Sequence, residues 1–267
     1  MRRVAAIALA ALIAASVAAA APNDIPTKKH GVLIVGLNPP AVGFQVGTLR
    51  GNKVLKPRGF EIDLARTIMK RLDNEVKTIQ WINVPFSGLF RPGPKPFDLA
   101  FEEATITPQR KRAVDFSTSY FDANQGVLLK KGAKVPHSLA ALRKMQTCGQ
   151  KVTTGLDFIL HRLHPVKKPL VYDTTAAAFA AVQFGKCDAF VMDVPIIASQ
   201  KKTKPSAYGP IAGQIVTNEK YGAVLAKGSK LTPLVNSAIA ALRENGTVGA
   251  LQKKWFNINV AKLPVLK

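Results

Sequence analysis

Strand-like and helix-like segments alternate along most of this chain, and that alternation restricts the fold more than any other feature. Apolar runs with strand spacing are followed by segments with an amphipathic helical period. In the first half they are Val32 to Leu37 (strand), Glu61 to Leu72 (helix), Val76 to Ile82 (strand) and Phe97 to Phe101 (strand). In the second half they are a helix from Thr174 or Thr175 to Phe184, a strand from Asp188 to Met192, and a helix that Thr232 caps, Pro233 starts and Gly246 ends. The alternation predicts an α/β fold with mainly parallel sheets.

The segment Ala104 to Ser117, ATITPQRKRAVDFS, has the composition of a site for a small carboxylate. The preceding strand is expected to end near Glu102, so the polar groups fall in the turn beyond it, and open α/β sheets bind ligands at the carboxyl ends of their strands. Thr105 carries a hydroxyl, and Arg110 presents a planar fork of donors that matches a carboxylate. Arg110 is therefore predicted to clamp a carboxylate; the alternative is a surface arginine beside Lys111.

The first residues have the pattern of a secretory signal peptide, assigned to residues 1–20. A positive start, Met1-Arg2-Arg3, is followed by an alanine-rich apolar run from Val4 to Ala21. Cleavage is expected after Ala20, since a cut after Ala21 would leave Pro22 at the new N-terminus. No cysteine stands there to carry a lipid anchor, and no later run is long and apolar enough to span a bilayer. We expect a soluble chain exported to the periplasm.

The chain is strongly basic, with a formal net charge of +22, two units of which come from the leader arginines. The basic residues stand in scattered pairs, such as Lys28-Lys29 and Lys253-Lys254, and not in a dense arm. Export also removes the usual polyanion partner. We therefore expect no nucleic-acid partner, and interpret the charge as favouring solubility and attraction to anionic surfaces or ligands.

The segment from Ala104 closely resembles the signature of the type II periplasmic solute-binding proteins of the polar amino-acid family (solute-binding protein family 3), the receptors of ABC importers. Further matches occur in the same order along the chain, at Gly31 to Gly36, Gly59 to Ala65, Gly246 to Gly249 and Lys254 to Phe256. The resemblance implies a monomeric receptor that captures an amino acid or a similar small carboxylate and delivers it to an inner-membrane ABC permease.

The same resemblance implies two lobes, each a mainly parallel sheet flanked by helices, with the ligand cleft between them. Lobe one would comprise residues 28–121 and 221–262, and lobe two residues 125–218. The chain would cross between the lobes near residues 122–125 and 218–221.

The resemblance also assigns roles to individual residues. Arg110 and Thr105 would hold a ligand α-carboxylate with help from backbone amides near Thr154, and Asp193 would pair with the α-ammonium. Asp193 ends an apolar strand, where an unpaired carboxylate is costly; its alternative role is to cap the following helix. Phe86 would pack on the ligand side chain; its alternative is core packing. The predicted ligand-binding residues are Asn38, Phe86, Glu103, Thr105, Arg110, Thr153, Thr154 and Asp193. Because the two lobes contribute separate residues, only a bound ligand is expected to bridge them.

This chain departs from the family pattern at several cleft positions. Asn38 and Ala41 stand where relatives usually carry an aspartate and an aromatic, and Glu102 and Glu103 replace small residues. Because successive strand residues face opposite ways, at most one of the two glutamates is expected to reach the cleft. There it would contact a cationic ligand end or pair with Arg110, unless it points into solvent.

Another departure is the segment Arg91 to Pro96, where three prolines replace a short helix and predict an extended or turn-like loop. Together with Ala41, this loop leaves open the alternative that the chain is an accessory protein, which has lost its small ligand and binds a partner through the loop.

The only cysteines, Cys148 and Cys187, are even in number, and a disulfide fits an oxidising compartment. Both lie in short apolar stretches interpreted as strands, which the family topology places side by side in lobe two. Two buried free thiols are the alternative.

Enzymatic chemistry competes with transport. Some relatives of this fold are cyclohexadienyl dehydratases, so Glu102 or Glu103 is a candidate general acid, although a nearby Arg110 would lower its pKa. His161 and His164 have a spacing compatible with metal but no adjacent acidic or thiol ligand. No nucleophile elbow, phosphate loop or dinucleotide fingerprint is present. We expect a receptor and not an enzyme, with no metal and no cofactor.

Overall fold

The computed structural model describes residues 25–72, 76–256 and 263–267. The predicted signal peptide lies outside the described residues, as do residues 257–262, the last of those assigned to lobe one. No helix in the described parts of the chain combines the length and the apolar character needed to cross a bilayer.

The strands within these ranges are β1 (Val32–Leu37), β2 (Val46–Arg50), β3 (Lys53–Arg58), β4 (Thr78–Asn83), β5 (Leu99–Ala100), β6 (Val114–Phe116), β7 (Phe121–Leu129), β8 (Thr147–Gln150), β9 (Leu170–Tyr172), β10 (Ala189–Asp193), β11 (Ile211–Tyr221) and β12 (Val224–Ala226). The helices are α1 (Phe60–Met69), α2 (Phe86–Leu89), α3 (Pro108–Lys111), α4 (Leu139–Leu142), α5 (Thr154–Phe158), α6 (Thr175–Gln183), α7 (Val194–Thr203), α8 (Thr232–Glu244) and α9 (Thr247–Trp255). A π-helical turn, Ile159–Leu163, continues α5.

These strands form two sheets, in the orders β2-β3-β4-β1-β5-β12-β6 and β11-β7-β10-β8-β9. Parallel pairs occupy part of each sheet: β1 with β4 and β5 in the first, and β8 with β9 and β10 in the second. The remaining pairs are antiparallel, because a β2-β3 hairpin and the strands that run between the sheets reverse direction. The predicted two-lobed α/β architecture is confirmed, but the sheets are mixed and not mainly parallel.

The chain passes from the first sheet to the second between β6 and β7 and returns between β11 and β12. Strands β7 and β11 are antiparallel partners, with Phe121 opposite Tyr221 at one end and Leu128 opposite Ile211 at the other. The ladder shifts register between Ile215 and Glu219. The paired strands therefore carry both connections between the sheets.

Helix α1 shows how the apolar pattern positions the core of the first sheet. Its residues Phe60, Ile62 and Ile68 are fully buried and belong to one apolar cluster with Leu33 and Val35 of β1. Strand β1 has its predicted bounds, while α1 ends at Met69 and not at Leu72. One apolar face of α1 is therefore buried against the first sheet.

In the second half, α6 starts at its predicted cap and α8 does not. Thr174 accepts a 3.2 Å hydrogen bond from the N–H of Ala177 and so starts α6. Thr232 was predicted to cap α8 but is its first helical residue, because Leu231 already has helical backbone angles of −75° and −21°. Helix α8 ends at Glu244, two residues before the predicted Gly246.

The segment Arg91 to Pro96 contains no helix, as its prolines predict.

Cys148 and Cys187 are joined by a disulfide, with their Cα atoms 6.0 Å apart. Cys148 lies in β8, but Cys187 precedes β10 and is not inside a strand. The parallel pairing of β8 with β10, in which Phe190 lies opposite Cys148, brings the two cysteines together.

Candidate functional site

A cleft lies where strands of both sheets end. Asn38 follows β1, Thr105 follows β5, Thr153 follows β8 and Asp193 is the last residue of β10. The cleft contains about 470 Å³ of space, open solvent at its mouth included. The eight residues predicted from the sequence all line it: Asn38, Phe86, Glu103, Thr105, Arg110, Thr153, Thr154 and Asp193.

Arg110 lies in the short helix α3, which begins where the hydroxyl of Thr107 accepts a hydrogen bond from the N–H of Arg110. Its side chain is buried, so the surface alternative is wrong. Nη1 donates to the carbonyl of Thr105 at 2.7 Å, and Nη2 donates to the carbonyl of Val152 at 2.8 Å. Among the described residues, no carboxylate forms an ion pair with this guanidinium.

Aromatic rings and desolvation complete the surroundings of Arg110. The guanidinium carbon lies 4.1 Å from the centroid of Phe90 and 5.5 Å from that of Phe86. Burial lowers the pKa of Arg110 to about 10, although the charges of Asp193 and Glu219 oppose the shift. The group therefore remains a cation at neutral pH. Phe90 was not predicted; its spacing of four residues from Phe86 on the turn of α2 is the signal that would have found it.

Asp193 presents a buried carboxylate to the same cleft. Its Oδ1 accepts a 2.5 Å hydrogen bond from Nε2 of Gln125, and its Oδ2 accepts one from the hydroxyl of Tyr221. It stands at the cap position of α7 but makes no side-chain capping bond, so the capping alternative is not what the structure shows. Burial and then the charge of Glu219 raise the pKa of Asp193 to about 7, against those hydrogen bonds and the charge of Arg110.

Glu219 is the main residue that the sequence did not reveal. Its Oε2 accepts hydrogen bonds from the hydroxyls of Thr105 at 2.6 Å and Thr154 at 2.7 Å, and its Oε1 accepts one from Gln125 at 2.9 Å. No motif marks this glutamate; the only signal is an acidic residue within the strand that returns to the first sheet. The irregular register before Glu219 sets its position in the ladder.

Direct contacts therefore connect the two sides of the cleft. Arg110 reaches Val152, and Glu219 links Thr105 to Thr154. The expectation that only a ligand bridges the two sides is wrong, because the strand that carries Glu219 runs between them.

Glu102 and Glu103 both line the cleft, whereas at most one was expected to reach it. The reason is local: β5 ends at Ala100, and Glu103 has a left-handed φ of 49°, so the alternation of a strand does not extend to this pair. The N–H of Glu103 donates to Oε1 of Glu61 at 2.9 Å, and Oε1 of Glu103 accepts from Gln45 at 3.0 Å.

Glu102 is 2% exposed, and neither of its carboxylate oxygens has a hydrogen-bond partner among the described residues. Glu61, behind it, accepts hydrogen bonds from the hydroxyl of Tyr120 and from Gln45. Burial, and then the charge of Glu61, raise the pKa of both Glu102 and Glu103 well above the ordinary glutamate value.

The remaining predicted residues have clear structural duties. Thr153 caps α5, because its hydroxyl accepts from the N–H of Leu156 at 3.2 Å and donates to the carbonyl of Gln150 at 2.7 Å. The backbone N–H of Asn38 donates to the side-chain oxygen of Gln45 at 2.9 Å. Asn38 itself lines the cleft wall.

The two histidines considered as metal ligands lie away from the cleft. His161 is in the π-helical turn, with its Nε2 3.7 Å from a carboxylate oxygen of Asp157. His164 follows with a left-handed φ of 49°. The described residues contain no group of three or more His, Cys, Asp and Glu side chains arranged for a metal ion.

The sequence and the fold both match known proteins. The sequence model of the bacterial extracellular solute-binding proteins, family 3, matches residues 33–258. The chain is similar to the L-cystine-binding protein TcyJ of Escherichia coli (strain K12), with 28% identity over 239 residues that cover 88% of this chain and 86% of TcyJ.

Solved structures with the same fold include an ancestral arginine-binding protein bound to arginine, with 29% identity, a TM-score of 0.72, and coverage of 85% of this chain and 99% of the other. The ancestral amino-acid-binding protein AncCDT-1, a precursor of cyclohexadienyl dehydratase, has 29% identity and a TM-score of 0.71 over 85% of this chain and 96% of its own.

Proposed function

Since this chain belongs to family 3 of the bacterial extracellular solute-binding proteins, we propose that its cleft binds an α-amino acid and that the loaded receptor delivers it to an ABC permease. Transport binding proteins among its relatives support the receptor role, and TcyJ is named for an amino-acid ligand. The family membership is the basis for proposing a permease partner, and no contact in the structure bears on it.

One observation carries the amino-acid proposal: Arg110 and Asp193 are buried side chains of opposite charge that line one cleft without forming an ion pair with each other. A zwitterion supplies a carboxylate for the first and an ammonium for the second. A guanidinium has five N–H donors, and bonds to Thr105 and Val152 leave others for a ligand carboxylate. An ammonium beside Asp193 would stabilise its ionised form, which burial alone disfavours.

The other predicted residues take supporting roles in this proposal. Thr105 and the amides at the start of α5, near Thr153 and Thr154, would complete the carboxylate site, while Phe86 would pack on the ligand side chain with Asn38 and Glu103 on the opposite wall. Thr105 and Thr154 donate to Glu219 in the structure, so a ligand carboxylate that takes their hydroxyls would compete with Glu219.

The domain assignment is part of the same proposal. Lobe one comprises residues 28–121 and 221–262, lobe two comprises residues 125–218, and the β7-β11 pair acts as the hinge. Residues 1–20 direct export to the periplasm and are removed there. The mature receptor acts as a monomer and without a nucleic-acid partner.

Isothermal titration of the mature chain with L-amino acids tests the binding proposal. We expect at least one of them to bind, and we expect Arg110→Ala and Asp193→Asn each to weaken that binding by about 2–5 kcal/mol, because each change leaves a buried ligand charge unpaired. Absence of binding by every L-amino acid, or wild-type affinity in both variants, would overturn the proposal. Arg112→Ala, at an exposed neighbouring position, is the matched control for Arg110.

A periplasmic enzyme is the second candidate, and Glu102 is the observation that favours it. A buried glutamate with a raised pKa is suited to act as a general acid, and AncCDT-1 shares the fold. Turnover of prephenate or arogenate by the wild-type chain that disappears in Glu102→Gln would establish the enzyme. We expect no product, since the transport relatives favour the receptor.

A further inference from the structure

We propose that the ligand carries a second positive charge on its side chain, which Glu102 binds. This inference rests on the proposed amino-acid receptor and extends it to the class of amino acid. Its basis is the position of Glu102 on the cleft wall and the charge of the groups around it.

The first argument is the lack of any partner for Glu102. The carboxylate is almost fully buried, lines the cleft, and receives no hydrogen bond from a described residue. Buried polar groups without partners are rare and costly, and a buried carboxylate costs more than a neutral group. A ligand donor that reaches Glu102 from the cleft would remove that cost.

The second argument is the balance of charge around the cleft. Glu102, Glu103 and Asp193 line it, and Glu61 and Glu219 are hydrogen-bonded directly behind it. Of the described residues that line the cleft, Arg110 is the one cation. None of these five carboxylates forms an ion pair with a described lysine or arginine.

A zwitterion with an uncharged side chain adds one carboxylate and one ammonium, so it does not change that balance. An acidic side chain would add a like charge beside Glu102, which is unfavourable. A guanidinium or ammonium on the side chain supplies the missing donor, and its positive charge stabilises the ionised form of Glu102, which burial disfavours. Charge-assisted bonds of this kind are about twice as strong as neutral ones.

The proposed contact between Glu102 and the ligand side chain is also separate from the groups that would bind the α-carboxylate and the α-ammonium. Gln125 and Tyr221 bond Asp193, whereas Gln45 and Tyr120 bond the glutamates Glu61 and Glu103 next to Glu102. Asp193 and the glutamates beside Glu102 therefore belong to separate hydrogen-bond networks, so the α-ammonium and the side chain of the ligand would be bound at separate places. Unlike Glu61 and Glu103, Glu102 receives no hydrogen bond from a described residue, although it lines the cleft.

The test uses pairs of ligands that have similar shape and differ in charge. L-Arginine is compared with L-citrulline, and L-lysine with L-norleucine, by calorimetric titration of the wild-type chain near neutral pH. We expect a cationic member to bind at least about tenfold more tightly than its neutral partner. Binding of citrulline and norleucine as tight as that of arginine and lysine would overturn the inference while leaving the amino-acid receptor intact. Failure of every L-amino acid to bind would overturn both.

A variant identifies Glu102 as the group responsible. Glu102→Gln keeps the shape and removes the charge, so the preference for arginine over citrulline should fall to nearly one, mainly through weaker arginine binding. Glu244→Gln, an exposed change on α8, should retain the full preference. Retention of the preference by a folded Glu102→Gln protein would overturn the assignment to Glu102. If this variant does not fold, the wild-type ligand pairs still decide whether the ligand is cationic.

Discussion

The guanidinium of Arg110 donates a 2.8 Å hydrogen bond to the backbone carbonyl of Val152, from the side of the first sheet to that of the second. Val152 has a φ of 66°, in the left-handed region that a β-branched residue rarely adopts. A second bond from the same side chain, to Thr105, fixes the guanidinium in the cleft. Backbone carbonyls from both sides of the cleft therefore hold the Arg110 guanidinium.

This geometry predicts that lysine cannot replace Arg110. Lysine keeps the charge but lacks the planar fork that donates to two carbonyls and a ligand at once. We expect Arg110→Lys to weaken ligand binding by about 2–3 kcal/mol and Arg110→Ala by more. Calorimetry gives the affinity, with Arg112→Lys as the exposed control. Wild-type affinity in Arg110→Lys would show that only the charge matters.

Glu219 should contribute to stability because it accepts hydrogen bonds from Thr105, Thr154 and Gln125. Glutamine in its place has one acceptor oxygen and turns an NH₂ group toward a donor. We expect Glu219→Gln to lower the free energy of unfolding by about 1–3 kcal/mol in urea titrations. Glu244→Gln should lie within about 0.5 kcal/mol of the wild type. An unchanged Glu219→Gln protein would mean that these bonds are replaced by solvent.

Asp193 should make both stability and binding depend on pH. Its pKa rises from the ordinary 3.8 to about 7 in the folded protein. Between those values the folded state holds a proton that the unfolded chain has released, so the contribution of Asp193 to stability falls as the pH rises from about 4 to about 7.

Ligand affinity should change in the opposite direction, since an α-ammonium favours the ionised carboxylate. Below pH 7 we expect affinity to rise by about tenfold per pH unit and then to level off. Calorimetry between pH 5.5 and pH 8 measures the trend, and Asp193→Asn should flatten it. A pH-independent affinity in the wild type would exclude the ammonium contact.

The disulfide should stabilise the second sheet, since it closes a loop with a sequence separation of 39 residues. Replacing both Cys148 and Cys187 by alanine should lower the free energy of unfolding by about 2–4 kcal/mol. Thiol labelling of the denatured, unreduced protein checks the bond itself and should detect no free thiol. Two labelled cysteines would contradict the disulfide.

Sequence patterns were sufficient where residue types at fixed spacing mark the bounds of an element. The bounds of β1 and the cap of α6 follow from apolar spacing and from the hydroxyl of Thr174. The motif around Arg110, read with the family pattern, also located the residues that line the cleft. These are cases in which the residue types at fixed spacing determine the local geometry.

Other features depend on contacts between distant parts of the chain. Glu219 and Thr105 are far apart in sequence, and only the pairing of β7 with β11 brings that glutamate to the cleft. The left-handed backbone of Glu103 breaks the strand alternation from which Glu102 and Glu103 were expected to face opposite ways. The mixed sheets likewise follow from strands that cross between lobes, which a local pattern of strands and helices does not reveal.

The central claim is that one ligand bridges Arg110 and Asp193 through its α-groups, and the most direct measurement compares an amino acid with its own modified forms. Calorimetry of the mature chain is performed with the tightest L-amino acid, its methyl ester and its decarboxylated amine. The account predicts that removing the carboxylate charge in either form weakens binding by at least about a hundredfold, or about 2.7 kcal/mol. Equal binding of the free acid, the ester and the amine would contradict it.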